Sequence, residues 1–350
     1  MLGLDISSSS VKLLELSSLN GKIQLETYGI ASLPDQTVVE RKIQEPKQVG
    51  ETIRLMVERI KPSTRNAITA VSGSSVITRK IEISASLSLS EIEAQVIIEA
   101  DQFIPFPIDE VAIDFEILGP SLKNLSSAAD NANNLEVLLV ACRLETVNHL
   151  QNTLEYAGLT PKVVDVENYA IERAVSLLQP YLNIEVTTPL MAIVDIGANV
   201  TNFSVLHKNE IIYSRDQLFG GQRLTDEIMQ YFNMPHQAAV MEKKKGKLPP
   251  DVLHPFQEAT LQQINRALQL FYSSTTYRHI DYILLTGGSS LTTGLASEIQ
   301  ARLKIPTSIA NPFQPISINS RINKEILKHD APALMAAFGL AMRIRDNASN

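Results

Sequence analysis

The chain has 350 residues, 44% of them hydrophobic and 20% charged, with one cysteine and no tryptophan. That length predicts about two domains, and the apolar share is ample for packed cores. Against 31 Lys and Arg stand 38 Asp and Glu, so the net charge of −7 gives no electrostatic reason to expect a nucleic acid partner. The lone Cys142 is expected to pack as a small hydrophobe in a reducing compartment. Asp5 and Glu15 interrupt the opening residues, which excludes the clean apolar stretch of a signal peptide. The weakly polar run 331–342 contains Pro332 and Gly339 and is shorter than the roughly 20 residues a spanning helix needs. These features predict a soluble cytoplasmic protein with no direct membrane insertion.

In chain order, residues 2–16 read as two apolar runs about a serine tip, and 23–30 continues in alternation. This predicts a β-meander that opens on a hairpin. Residues 51–60 have helical period and are stopped by Pro62, and 68–71 and 78–83 read as strands. An inserted module is predicted over 87–158. Its order is a helix opened by a Ser90–Glu93 capping box, a strand at 111–118, a polar tract at 121–134, a strand at 136–142 and a helix at 146–157. The strand 162–166 then leads into a helix over 167–178. A further strand starts at Met191, and helices follow at 223–232, 236–245 and 254–277, the last with the apolar stripe Leu261, Ile264, Leu268 and Phe271. Tyr282 to Thr286 reads as a strand, and helices at 295–303 and 331–343 close the chain.

An internal echo organises these elements. Leu2-Gly-Leu-Asp5-Ile returns as Ile193-Val-Asp195-Ile-Gly197, each a strand, an acid, a tight turn and a second strand. Two related domains follow from it.

Three turns carry candidate chemistry. At Ser7, Ser8, Ser9 and Ser10, small residues let backbone amides approach a phosphate, and Lys12, seven residues after Asp5, is placed to reach back as a point charge. The same residues also suit a plain serine turn with a solvated lysine. At Asp195, Gly197, Ala198, Asn199 and Thr201, a carboxylate at a strand end suits a hydrated Mg²⁺, with Gly197 free to take φ > 0. A β-turn capped by its own Asp fits equally. At Gly287, Gly288 and Ser289, two glycines clear space where a flat ring could lie on the backbone, or simply make a tight strand–helix connection.

The order of two acid-tipped hairpins, then Gly220-Gly221 before a helix, then a strand ending in Gly287-Gly288, resembles the actin-like ATPase superfamily across nearly the whole chain. Within it, the segments 91–107, 163–170 and 195–199 resemble the PilM family of type IV pilus assembly, relatives of the cell-division protein FtsA. The resemblance implies an α/β actin-like fold of two related domains around a nucleotide cleft, with a small inserted domain. It implies a first domain over 1–86 and 159–190, the insertion at 87–158, a second domain over 191–219 and 281–330 with an outer part at 220–280, and a connecting helix and C-terminus over 331–350.

It further implies ATP and Mg²⁺ as ligands. Asp5 and Asp195 would arrange magnesium waters, and the residues of both tips would cradle phosphates with Lys12. Gly220, Gly221, Lys243, Gly287, Gly288 and Ser289 would line the rest. Asp165 and Glu167 sit where the superfamily keeps an orienter for hydrolytic water, or act as helix caps. Hydrolysis itself is left open. The implied partner is the N-terminal cytoplasmic tail of PilN, beside the insertion, with other pilus platform proteins; self-association is also left open. Such a protein would be peripheral to the inner membrane through its partners. FtsA-like cell division, type II secretion and a metabolite kinase of the same superfamily are the alternatives. The kinase would need a general base, for which Asp165 is the sole candidate. Small residues at Ala170, Ala174, Ala336, Ala337 and Gly339 mark a pivot or a close-packed core.

Two positions depart from the family pattern. Ser7 replaces the glycine of an Asp-x-Gly tip, so that turn must avoid φ > 0. Val240 replaces the acid of an Ala-Glu-x-x-Lys helix, which implies weaker nucleotide binding unless Glu242 substitutes through a shifted register.

Overall fold

The computed structural model describes residues 1–19, 21–121 and 134–343. The C-terminal residues beyond 343 and most of the polar tract predicted at 121–134 lie outside them. The chain divides into two compact units, Met1–Ala70 with Asn152–Asn350, and Val71–Gln151.

In chain order, the first unit opens with β1 (Leu2–Ile6), β2 (Ser10–Leu19), β3 (Lys22–Ser32), β4 (Val38–Val39), β5 (Lys42–Ile43), α1 (Pro46–Ile60) and β6 (Asn66–Val71). The second unit holds β7 (Val76–Ser84), α2 (Leu89–Asp101), β8 (Val111–Pro120), β9 (Asn134–Arg143) and the first part of α3 (Leu144–Tyr156). The chain then returns through β10 (Thr160–Val166) and α4 (Glu167–Leu178) to β11 (Met191–Ile196), β12 (Thr201–His207) and β13 (Glu210–Gln217). The helices α5 (Gln222–Phe232), α6 (His236–Lys245) and α7 (Pro250–Ser274) follow. β14 (Tyr282–Thr286), α8 (Leu295–Leu303), β15 (Thr307–Ile309), β16 (Ser317–Ile318), α9 (Lys324–Asp330) and α10 (Met335–Ala341) complete it.

The large unit is built on two sheets of one plan. The first runs β10-β6-β1-β2-β3-β16 and the second β13-β12-β11-β14-β15. In each, an antiparallel meander (β1-β2-β3 or β11-β12-β13) is extended by a parallel strand beside its first member. The sequence echo is therefore a repeat of topology. The central strands β11 and β14 are buried almost throughout, which is why they read as continuous apolar runs.

Two helices join the halves. Ile171, Ala174, Val175 and Leu178 of α4 share one core with Met335, Ala336, Ala337 and Phe338 of α10, Leu14 and Leu25 of the first sheet, and Met191, Ile193 and Leu284 of the second. Their crossing is close enough that a Cβ on Gly339 would lie 1.7 Å from the Ala170 carbonyl oxygen. α10 meets β1 as tightly, since a Cβ on Gly3 would lie 2.0 Å from the Ala337 carbonyl oxygen. Small residues are required at these points so that backbones can touch. The predicted helix over 331–343 is split, with a 3₁₀ turn over Ala331–Leu334 leading into α10.

The second unit starts at Val71, not at 87, because β7 pairs along its whole length with β9 in the sheet β7-β9-β8. Ile92, Val96 and Ala100 of α2 pack on Ile83, Val137, Leu139 and Ala141. The capping box also lies two residues earlier than predicted. Ser88 accepts from the Glu91 amide while the Glu91 carboxylate accepts from the Ser88 amide at 2.8 Å. Both serines are followed three residues later by Glu, so the motif alone does not choose between them. Ser88→Ala is expected to cost about 1 kcal/mol in a denaturation curve, and Ser90→Ala less than about 0.5 kcal/mol.

Candidate functional site

The first hairpin tip is made by its own side chains. The Ser7 amide and hydroxyl both donate to the Ser10 carbonyl, at 3.0 and 2.9 Å. None of Ser7 to Ser10 has positive φ, so serine at the position of the family glycine carries no backbone strain. Antiparallel register sets Lys12 opposite Asp5, and its Nζ donates to Asp5 at 2.7 Å and to the Ser7 hydroxyl at 2.9 Å. Both side chains are largely buried.

The second tip gathers residues far apart in sequence. Asp195 pairs in register with Asn202 on β12 and Thr286 on β14. The Gly197 amide donates to Val200, while Gly197 and Ala198 carbonyls accept from the Gly221 and Gln222 amides at 2.9 and 2.8 Å. Thr201 donates to the Phe219 carbonyl at 2.8 Å, and the Ser289 amide donates to Ile196 at 3.1 Å.

The expectation that Gly197 uses φ > 0 is corrected here, since Gly197 is absent from the positive-φ residues. The glycine is needed because a Cβ would lie 2.7 Å from the Val200 carbonyl oxygen. Gly287 is the residue that does take positive φ, at 84°, and a Cβ there would lie 2.3 Å from Asp195 Oδ1. Gly288 differs, since a Cβ there would make only an ordinary contact with Ala333 Cβ at 4.0 Å.

Lys243, on α6, donates to the Gly221 carbonyl. A Cβ on Gly221 would lie 1.9 Å from Ser289 Oγ and 2.5 Å from Lys243 Nζ, so these three residues meet at one point. Burial pushes the Lys243 ammonium down to about 8 against the pull of Asp226. The Glu242 carboxylate pairs with Lys245, three residues on, at 2.5 Å.

The two acids predicted for hydrolysis separate. Asp165 accepts from Arg173, lies 3.4 Å from Arg343 and accepts from the Val166 amide at 2.7 Å; Arg173 in turn donates to the Gly339 carbonyl at 3.0 Å. It ties the connecting helices together. Glu167, one residue into α4, instead faces the charges of the hairpins. Burial pushes its carboxyl up to about 7, opposed by Arg41 and reinforced by Asp5, Asp195 and Asp216. Burial likewise raises Asp195, opposed by Arg41 and Lys12.

Arg41 and Asp216 join this group from a short turn and a strand end. Arg41 Nη2 reaches both Glu167 oxygens at 2.6 and 2.7 Å, and Nη1 lies 3.4 Å from Asp216. Asp216 stands opposite Asn202 on β13, hence in one row with Asp195. No motif marks either residue; only the register of the second meander could have flagged Asp216.

Two sheets of repeated topology, each with an acid beside its hairpin tip and joined by a pair of closely packed helices, define the actin-like ATPase fold. The chain is similar to a solved PilM-PilN type IV pilus biogenesis complex, at 29% identity, 98% of this chain and 97% of that chain covered, with a TM-score of 0.77. It belongs to the type IV pilus assembly protein PilM family, whose profile matches residues 3–345. More distant structures share the fold. They are the ethanolamine utilization protein EutJ from Carboxydothermus hydrogenoformans (14% identity, 97% and 88% covered, TM-score 0.56) and MreB 5 of Spiroplasma citri bound to AMPPNP (14%, 100% and 98%, TM-score 0.50). No helix among the described residues is long and apolar enough to cross a membrane.

Proposed function

We propose that this chain is a nucleotide-binding scaffold of the type IV pilus assembly platform, holding ATP with Mg²⁺ between its two hairpin tips and the cytoplasmic tail of PilN elsewhere on its surface. The observation that carries the nucleotide reading is the convergence of Gly197, Gly220, Gly221, Lys243, Gly287 and Ser289 on the second tip, where a Cβ added to any of these glycines would lie within 2.7 Å of another atom.

The residues suit such a ligand. Among the described residues no acceptor lies on the amides of Ser8, Ser9, Ala198 or Asn199, which leaves them available to phosphate oxygens. Among the described residues, the four carboxylates of Asp5, Asp195, Asp216 and Glu167 face two cations, Lys12 and Arg41, a surplus of negative charge that favours a cation. No three His, Cys, Asp or Glu side chains among the described residues could ligate a metal directly. Mg²⁺ would therefore be held through its waters and the phosphates, as is usual for that ion. When bound, it would neutralise charge developing on the phosphates. Lys12 would then neutralise phosphate oxygens, Lys243 would hold the Gly221 turn, and Glu167 would orient water.

For the partner, the solved complex joins a PilM to a PilN, and the shared family supports the same pairing here. The unit Val71–Gln151 exposes Leu89, Ile97 and Ile98 on α2 and Ile117 and Leu118 on β8, apolar surface that suits a tail segment. Through that tail the chain would sit at the inner face of the membrane.

Calorimetric titration of ATP·Mg²⁺, with and without a PilN tail peptide, tests both halves. Lys12→Ala is expected to weaken ATP by about tenfold, roughly 1.4 kcal/mol, and to leave the tail bound. Unchanged ATP affinity would sink the phosphate assignment. Undiminished tail binding after Ile97→Asp and Ile98→Asp would sink the placement of the tail.

A further inference from the structure

The outer edge of the first sheet is half open. β16 pairs with β3 only at Gln24 and Leu25, after which a bulge leaves Glu26 as an extra residue opposite β2. Beyond the bulge, Thr27 to Ser32 pair with β2 on one side, and no strand among the described residues pairs with the other. The Leu33 amide donates to the Ser9 carbonyl, which fixes the alternation. Thr27, Gly29 and Ala31 turn their peptide groups towards β2, and Tyr28, Ile30 and Ser32 turn theirs outwards. Accordingly, the Ile30 carbonyl accepts from Arg59 of α1 at 3.2 Å. The outward amides of Tyr28 and Ile30 meet no acceptor among the described residues. A cavity of about 740 Å³ lies along this strip, between the end of α1, the 319–323 turn and Asp330 at the end of α9. Its acids are already engaged. Glu15 accepts from the Ser63 amide at 2.9 Å, Glu26 from Asn319 at 2.9 Å, and Asp330 from the Tyr28 hydroxyl at 3.0 Å. Two of its cations are not, since the exposed side chains of Lys61 and Arg321 make no hydrogen bond or ion pair among the described residues.

We propose that this slot is a docking site, in which an extended segment of a partner protein carrying an acidic side chain adds to β3 as its next strand. Outward peptide groups at every second residue are matched by another extended backbone, which would take up the free amides of Tyr28 and Ile30. β16 already pairs in this way over the first two positions of the same edge. The strip from Tyr28 to Ser32 offers room for a strand of about five residues, roughly 17 Å long. Lys61 and Arg321 supply the charge that selects an acidic segment over a basic one. Walls on both sides of the strip suit a single loose chain better than the sheet of a second folded copy. The slot lies wholly within the large unit and shares no residue with the apolar surface offered to the PilN tail on α2 and β8.

The test selects from a random peptide library displayed on phage, with the full chain as bait and its double variant Lys61→Glu, Arg321→Glu as counter-bait. Both substituted residues are exposed, so the variant keeps its fold. Peptides enriched on the unchanged chain are expected to carry Asp or Glu among alternating apolar residues, and to bind the double variant at least about tenfold more weakly. Ile30→Pro removes an outward amide without touching the ladder to β2, and is expected to abolish binding. In hydrogen exchange read by NMR, the Tyr28 and Ile30 amides are expected to exchange faster than those of Gly29 and Ala31, and to become protected by a selected peptide. Should Ile30→Pro fail to fold, the exchange pattern and the double variant decide. No enrichment over the counter-bait, or no protection of Tyr28 and Ile30, overturns the proposal. So does binding that Ile97→Asp abolishes and Ile30→Pro does not, which would seat the peptide on α2. Dimers of the unchanged chain that Ile30→Pro dissolves would give the edge to a second copy and equally overturn it.

Discussion

Gly339→Ala is expected to destabilise the large unit by about 3 kcal/mol or more, among the largest costs of any single-methyl addition in the chain. The added Cβ would lie 1.7 Å from the Ala170 carbonyl oxygen, 2.4 Å from its carbonyl carbon and 2.9 Å from its Cα. Backbone cannot rotate aside as a side chain can, so α4 and α10 would have to move apart. That separation would open the core shared by Ala174, Val175, Ala337 and Phe338, all fully or nearly fully buried. It would also shift the Gly339 carbonyl that accepts from Arg173, and with it the Arg173–Asp165 pair. Gly288→Ala is the matched control, because its Cβ would meet only Ala333 Cβ, at 4.0 Å. That variant is expected to stay within about 0.5 kcal/mol of the parent. Urea denaturation of the two variants reads the difference directly. Similar midpoints for both would show that the helix crossing is not the tight joint that the geometry indicates.

Gly221→Val is expected to reduce nucleotide affinity by roughly ten- to a hundredfold, about 1.4–2.8 kcal/mol, with a smaller loss of fold stability. Here the atoms in the way are the ends of side chains, Ser289 Oγ at 1.9 Å and Lys243 Nζ at 2.5 Å. They can yield, so the fold survives. Yielding would break the bond from Lys243 to the Gly221 carbonyl and push Ser289 away from the Gly197 carbonyl that its hydroxyl meets at 3.3 Å. The second tip would lose its shape just where phosphate and adenosine would lie. Fluorescence titration with a labelled ATP analogue measures the loss. Unaltered affinity would remove Gly221, Lys243 and Ser289 from the site.

Lys12 and Arg41 are held among the acids in different ways. Both are mostly buried cations among carboxylates, yet Lys12 grows from β2 and is fixed by register opposite Asp5. Arg41 sits on a short hairpin outside either main sheet. Removal of Lys12 is expected to weaken ATP.

The sequence by itself determined the repeated meander, the two tip acids Asp5 and Asp195, the glycine pairs and the helices α4, α6 and α8. Those features are local: strand alternation, helical period and turn chemistry act over a few residues and leave their mark there. It also carried the family, through motifs spread along the chain. Only the tertiary structure decided which strands share a sheet, and hence that the second unit begins with β7 at Val71. It alone separated Glu167, which faces the cleft charges, from Asp165, which binds Arg173. It alone brought Arg41 and Asp216 together from opposite halves of the large unit. A charged residue in a two-residue turn or at a strand end looks solvated when read along the chain. Its burial and its partners are set by strand register and long-range packing, which no stretch of neighbouring residues encodes.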